Sequence, residues 1–294
     1  MGIADEEAEL VREMIEFLER GVPEVLIHAH HQLENAERRW IRMEAQEEET
    51  GKSMKAKVKV EGHLIADAEI EVNLRRGYLV NVKLQQRCVL DQLLEFHRIL
   101  QSQYRHMEHI TQALRTQLPA LPSDDHGAGD GNLPAVGTLV HHVVEELSNL
   151  CQELRKGGYA VRLPSKRRFP YCTQLDHAFQ PPLPSDMLVD FSVHQARLLI
   201  DAFVLTPSTK PVDDVLSAAS KKEFVGQVTI FRGQTVEVVK QTSVTMDLPG
   251  LDDMLTSLDT VVARLLHVRD QGDALLQCYT MPPTTSFCRL SVDA

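Results

Sequence analysis

A chain of 294 residues that is 43% hydrophobic and 25% charged can build a sizeable core, so wholesale disorder is excluded and one large domain or two intimate subdomains are expected. Its net charge of −11 argues against a nucleic-acid binder, which needs a basic face. Five cysteines without a CxxC pair point to a reducing compartment rather than a disulfide framework.

The acidity is concentrated at the start, where residues 1–50 hold 14 Asp and Glu against 5 Arg. Such a run is either a solvated helix face or a surface that meets a basic partner, and Glu13, Glu16 and Glu19 are the candidates for the second role. The N-terminus has no basic start and no continuous apolar core, so it does not read as a signal peptide. No stretch approaches the roughly 18 consecutive apolar residues of a membrane span, so no direct membrane insertion is expected and a cytoplasmic protein is the default.

Residues 4–45 read as helix, with Leu10, Met14, Leu18, Leu26, Leu33 and Trp40 at helical spacing. Gly21-Val22-Pro23 either kinks one long helix or splits it in two, because proline lacks a backbone donor and crowds the preceding turn. Glu47-Glu48-Glu49-Thr50-Gly51 is expected to end the helical run. Strand alternation follows: Ala56, Val58 and Val60 against Lys55, Lys57 and Lys59, then Ala66, Ala68, Ile70 and Val72 against Asp67, Glu69 and Glu71. Folding back about His63 sets Lys59 opposite Asp67, Lys57 opposite Glu69 and Lys55 opposite Glu71, so the register is written in charge, each pair contributing about 0.2–1 kcal/mol and less where exposed. Arg75-Arg76-Gly77 turns the chain into a third strand, Tyr78 to Lys83.

Residues 84–118 form the longest periodic segment. Leu93, Leu100, Met107 and Leu114 repeat every seven residues, with Leu90, His97, Tyr104, Thr111 and Leu118 in the companion row. The polar companions His97 and Thr111 favour an internal bundle helix over an intermolecular zipper. Residues 119–135 read as a flexible connector by composition. Val136 to Leu154 is a helix with Leu139, Val143, Leu147, Leu150 and Leu154 buried, and Gly157-Gly158 is expected to stop it. A basic segment with Arg162, Lys166, Arg167 and Arg168 leads to a short helical turn around Leu175–Phe179.

Pro181-Pro182-Leu183-Pro184 then forces an extended arrival, because three prolines fix φ and remove donors. Ser185 and Asp186 have side chains that can tie to nearby backbone amides and turn the chain. Val189, Phe191 and Val193 alternate with Asp190, Ser192 and His194 as in a half-buried strand, and His194-Gln195-Ala196-Arg197 breaks the pattern before Leu198 to Leu205 resumes it. After a polar loop, Thr206 to Lys222, a second hairpin pairs Phe224–Phe231 with Thr235–Met246 across Arg232-Gly233-Gln234. The last helix, 250–277, has Leu251, Leu255, Leu258, Val262 and Leu265 as its inward row. Strands in hairpin blocks between helices indicate an α+β fold. The helical bundle lobe takes residues 1–50, 84–155 and 248–277, and an antiparallel β lobe of about seven strands takes 54–83 and 185–246. Residues 278–294 read as a tail.

No residue set carries recognisable chemistry. His28, His30 and His31, and His97, His106 and His109, lack the i, i+4 ligand pairs with a carboxylate of a helical metal site. Cys88, Cys151, Cys172, Cys278 and Cys288 lack zinc spacing and read as small buried apolar side chains. Gly127, Gly129 and Gly131 follow no strand and are no dinucleotide fingerprint; there is no P-loop and no GxSxG elbow. Asp252 and Asp253 complement a helix N-terminus, and the pair Asp213-Asp214 has no partner motif. No catalytic residue, metal or cofactor is expected, and the chain does not read as an enzyme.

PPLPSDMLVDFSVHQARLLIDAFVL resembles the corresponding segment of the Rogdi family, with Leu183, Pro184, Ser185, Asp186, Leu188 and Val189 as its signature. The likeness continues in order through FRGQTVEVVKQTSV and LPGLDDMLTSLDTVVARLL and returns in REMIEFLERGVPEVLIHAHHQLENAERRW; the chain departs from the family near residue 125 and in its last dozen residues. The resemblance implies a small subunit of a RAVE (rabconnectin) complex that promotes V-ATPase assembly and organelle acidification. Its implied partners are a large WD-repeat scaffold subunit and subunits of the V-ATPase cytosolic sector. It also implies a helical bundle lobe, with the terminal helices together, beside an antiparallel β lobe. The alternative from the heptads alone is a leucine-zipper nucleic-acid binder, which would need a basic helix running into Leu90, where the sequence reads as strand.

Overall fold

The computed structural model describes residues 3–42, 44–50, 53–75, 78–120, 133–163, 175, 178–212 and 224–280. Its helices are α1 (Ile3–Glu16), α2 (Val22–Arg42), α3 (Asp91–Gln117), α4 (Leu133–Arg162) and α5 (Leu251–Thr280). A π-helical turn, Phe17–Gly21, joins α1 to α2. The first sheet holds β1 (Glu44–Thr50), β2 (Met54–Glu61), β3 (Leu64–Arg75), β4 (Tyr78–Leu84) and β6 (Phe179–Gln180) in that order, with β5 (Cys88–Val89) pairing β3. The second runs β7 (Met187–His194), β8 (Arg197–Pro207), β10 (Gln234–Asp247), β9 (Val228–Phe231). All pairings are antiparallel, and the α+β class expected from the sequence is the one found, with six and four strands where about seven were expected.

The chain divides into two compact units. One is Met1–Leu33, Gln101–Arg155 and Leu258–Ala294, whose described elements are helical; the other is Glu34–Leu100 and Lys156–Ser257 and contains both sheets.

In the helical unit, the expected interruption at Gly21-Val22-Pro23 takes the form of the π turn, which ends at Gly21 and divides α1 from α2. Proline cannot donate to the carbonyl four residues back, and the chain absorbs this one turn earlier, where Val22 N–H reaches Phe17 C=O in the π turn. The terminal helices lie together here: Arg264 of α5 bonds Gln32 of α2 at 3.3 Å, and Gly272 of α5 sits against Phe17 and Val144. A Cβ on Gly272 would lie 2.5 Å from Val144 Cγ2 and 2.9 Å from Phe17 Cζ, so only glycine permits this approach. Gly272→Ala is expected to cost about 1–3 kcal/mol by overpacking. Gly21→Ala, whose added carbon would meet only Phe17 Cδ2 at 3.6 Å, is the control, and urea midpoints compare the two.

In the sheet-containing unit the charge-written register is observed residue for residue: Lys55 opposite Glu71, Lys57 opposite Glu69, Lys59 opposite Asp67. A bulge after Lys59 then puts Val60 opposite Ile65, which buries Ile65 and leaves Ala66 half-buried. The apolar face takes Ala56, Val58, Ala68, Ile70, Val72, Val80 and Val82.

Several expectations are corrected. Helix α2 ends at Arg42, and Glu44–Thr50, expected to finish the helical run, is strand β1, laid along β2 so that Glu48 is opposite Lys57. The free edge of β2 offers a backbone ladder, and pairing with it outweighs the low strand propensity of glutamate. Helix α3 begins only at Asp91, after the short strand β5. Helix α4 runs through Gly157-Gly158 to Arg162, because Gly157 is where α3 comes close: a Cβ there would lie 3.1 Å from Ile99 and 3.3 Å from Phe96. Phe179, assigned to a helical turn, is in β6. Strand β7 is not half-buried but buried along seven of its eight residues. Most of the connector, the basic segment, much of the polar loop and the tail beyond residue 280 lie outside the described residues.

Candidate functional site

The proline-rich stretch is the crossover between the two sheets, leaving β6 and entering β7. Its turn is closed by backbone groups where side-chain ties were expected: Met187 N–H donates to Pro184 C=O (3.0 Å) and Leu205 N–H to Asp186 C=O (2.8 Å). Ser185 and Asp186 point outward, while Leu183, Leu188 and Val189 are core. Leu188 joins Phe203, Leu205, Phe224, Phe231, Val236 and Val238 in one apolar cluster, with Phe203 and Phe224 edge to face at 5.8 Å. Val189 lies on the opposite face of the strand, where Phe191 stacks on Phe179 of β6. The signature is thus a packing hinge between sheets, with only Ser185 and Asp186 presented outward.

A second junction forms where β7 turns into β8. Gln195 and Ala196 both take positive φ (54° and 60°), the two-residue turn whose twist suits a hairpin. Their N–H groups donate to Arg162 C=O and Val161 C=O at 3.1 Å, so the turn caps the C-terminus of α4. Gln92, in the first turn of α3, reaches the same place. Its Oε1 accepts Val193 N–H at 2.7 Å, and its Nε2 donates to Val193 C=O at 2.7 Å and Ala160 C=O at 2.9 Å. One side-chain amide therefore stands in for a neighbouring strand beside β7 and ties α3, α4 and the second sheet together. Sequence reasoning missed it; the available signal is a polar residue between Leu90 and Leu93 in an otherwise apolar stripe.

The β7–β8 hairpin also buries two acids. Asp190 and Asp201, equidistant from Gln195-Ala196, fall directly opposite one another at 1% and 4% exposure. Asp201 Oδ1 accepts from Ser243 Oγ and, at 3.0 Å, from Gln241 Nε2, whose Oε1 accepts Phe224 N–H. Burial raises the Asp201 pKa above its ordinary value, against the lowering effect of these two donors. A raised folded value means that the carboxyl favours the fold most below the unfolded pKa and that this contribution is lost as pH rises through the folded one. Asp201→Asn is therefore expected to raise the thermal midpoint at neutral pH relative to the parent and to narrow the difference in acid, as melts across pH would show.

The histidines are spread over separate ties. His97 Nδ1 meets Glu37 Oε1 at 2.7 Å, His106 Nε2 meets Glu146 Oε2 at 2.5 Å, and His30 stacks on Tyr104 at 5.0 Å between ring centres. His28, His31 and His109 are exposed. Among the described residues no group of three or more His, Cys, Asp or Glu is placed to hold a metal ion. Burial pushes the Cys151 thiol up to about 11, which makes it inert. Cys278 is exposed, which corrects its expected burial, and Cys88 is half-buried. Asp252 and Asp253 occupy the first turn of α5. No described helix is long and apolar enough to cross a membrane.

Glu13, Glu16 and Glu19 are all exposed, on α1 and the π turn. The heptad residues are not: Leu93, Leu100, Met107 and Leu114 are at most 2% exposed within the single chain. A row so covered has no face left for a second zipper helix, so α3 is the internal helix that its polar companions suggested.

Antiparallel sheets joined by a proline crossover, and long helices tied to the second sheet by a side-chain amide and to one another by carboxylate–histidine pairs, define an α+β protein whose polar groups hold elements together. The model of the Rogdi leucine zipper containing protein family matches residues 48–230, more than half the chain, and the chain belongs to that family. The matched span contains the crossover, the buried acid pair and the heptad helix. No curated protein matches the chain.

Proposed function

We propose that this chain is a non-catalytic adaptor subunit of a RAVE-type complex that promotes assembly of the V-ATPase. In this reading it binds a WD-repeat, rabconnectin-like scaffold subunit, contacts cytosolic-sector subunits of the V-ATPase, and reaches vacuolar or endosomal membranes from the cytoplasm through the complex. The observation that carries the reading is family membership across residues 48–230. In this reading the chain carries no chemistry of its own. Its contribution is then surface, and the exposed Glu13, Glu16 and Glu19 are the part of that surface offered to a basic partner.

Affinity capture of the full chain from its own cells, read by mass spectrometry, tests the reading. A WD-repeat scaffold and V-ATPase cytosolic subunits are expected to co-purify, and loss of the gene is expected to slow reacidification after a stimulus that disassembles the pump. Unchanged reacidification together with neither partner captured overturns it. Reversing Glu13, Glu16 and Glu19 to lysine is expected to weaken capture without changing the melting temperature.

A further inference from the structure

The turn between β2 and β3 is built around His63 and faces two helices. Gly62, at φ +59°, opens the two-residue turn, and a Cβ there would meet Ile41 of α2 at 3.6 Å. The His63 ring lies nearly parallel on that of His97 in α3, with centres 5.9 Å apart and 17° between planes. Behind His97 stands Glu37 of α2, 3% exposed, with its carboxylate 2.7 Å from Nδ1. The other charged groups around the turn are Arg98 on α3 and, on its own strand, Glu61, which pairs with Lys59 at 2.9 Å and Arg87 at 3.5 Å.

The His63 backbone carries a second load. Its carbonyl accepts Leu90 N–H at 2.9 Å, immediately before α3, and the adjoining Leu64 and Ile65 pair with Val89 and Cys88 of β5. Whatever moves the turn therefore moves the bracket that seats the start of α3 on the first sheet.

We propose that this turn is a proton-operated joint: seated on α3 while His63 is neutral, and released when acidification charges it. The physical reason is an imbalance of charge. Glu37 is already engaged by His97, so a proton on His63 places a cation over a second imidazole and beside Arg98, without a carboxylate of its own at the stack among the described residues. Burial first, then His97 and Arg98, hold the His63 pKa below its ordinary value. For a base this is the sign of a group that must stay neutral: its contribution is complete above the unfolded pKa and is lost as pH falls through that value toward the folded one.

Hydrogen exchange of the full chain, read as the protection factor of the Leu90 amide so that the intrinsic rate divides out, tests the joint. In the parent protein protection is expected to fall by up to about tenfold per pH unit below the range where free histidine titrates. His63→Phe keeps a flat ring on His97 but takes no proton, and its Leu90 protection is expected to stay level. Protection that does not change with pH in the parent, or that falls equally in His63→Phe, overturns the proposal. Should His63→Phe fail to fold, the ring resonances of His63 in the parent decide: a midpoint below that of free histidine supports the joint, and an ordinary midpoint sinks it.

Discussion

Replacing Gln92 with leucine is expected to cost about 3–6 kcal/mol, because leucine keeps the volume and removes every bond that the amide makes. Val193 N–H and Val193 C=O would be left buried without their partner, each costing about 1–3 kcal/mol, and Ala160 C=O would lose its partner at a part-buried position. Gln92 is 8% exposed, so water has little access to repair the loss. Gln92→Glu is the sharper variant, since it keeps the acceptor for Val193 N–H, loses both donated bonds and puts a charge in their place. Urea denaturation of both variants measures the effect. A loss below about 1 kcal/mol for leucine, the ordinary size of a surface change, would show that the three elements are held by packing alone.

Leu33→Ala and Leu258→Ala are each expected to cost about 2–5 kcal/mol, the range for emptying a fully buried leucine site. The two side chains are 0% and 1% exposed and come from opposite ends of the sequence, yet both belong to the helical unit. Amphipathic helices in water depend on such packing more than on propensity. Removing residues 250–294 takes away the helix that carries Leu258, Val262, Leu265 and Gly272, and is expected to unfold the unit rather than trim it. Circular dichroism and sedimentation of the truncated protein check this. A soluble monomer that still melts cooperatively would show that α5 is dispensable.

The elements with a clean period were legible. Rows at helical spacing from Met14 to Trp40, from Leu93 to Leu114 and from Leu251 to Leu265 all proved buried, because one apolar stripe per helix has one way to leave water. The Lys–acid ladder of β2 and β3 was legible to the register, since alternation and charge agreed. Legibility failed where a residue's local preference opposed its neighbours in space. Glutamates read as the end of a helix became β1 because the edge of β2 was there to pair with, and Gly157-Gly158, a stop signal in isolation, continued α4 because α3 packs against it.

The class, the order of the main blocks and the family could be read along the chain, since these rest on periodicities and motifs contained within single segments. Which polar groups matter emerged only with the folded arrangement. Gln92 reaches a strand about 100 positions away, Asp190 meets Asp201 only after the hairpin closes, and His63 finds His97 only when the first sheet lies on α3. Each is an ordinary polar residue in its own stretch of chain. Burial and a partner distant in sequence, neither of which a local pattern encodes, turn it into a tie whose loss is costly.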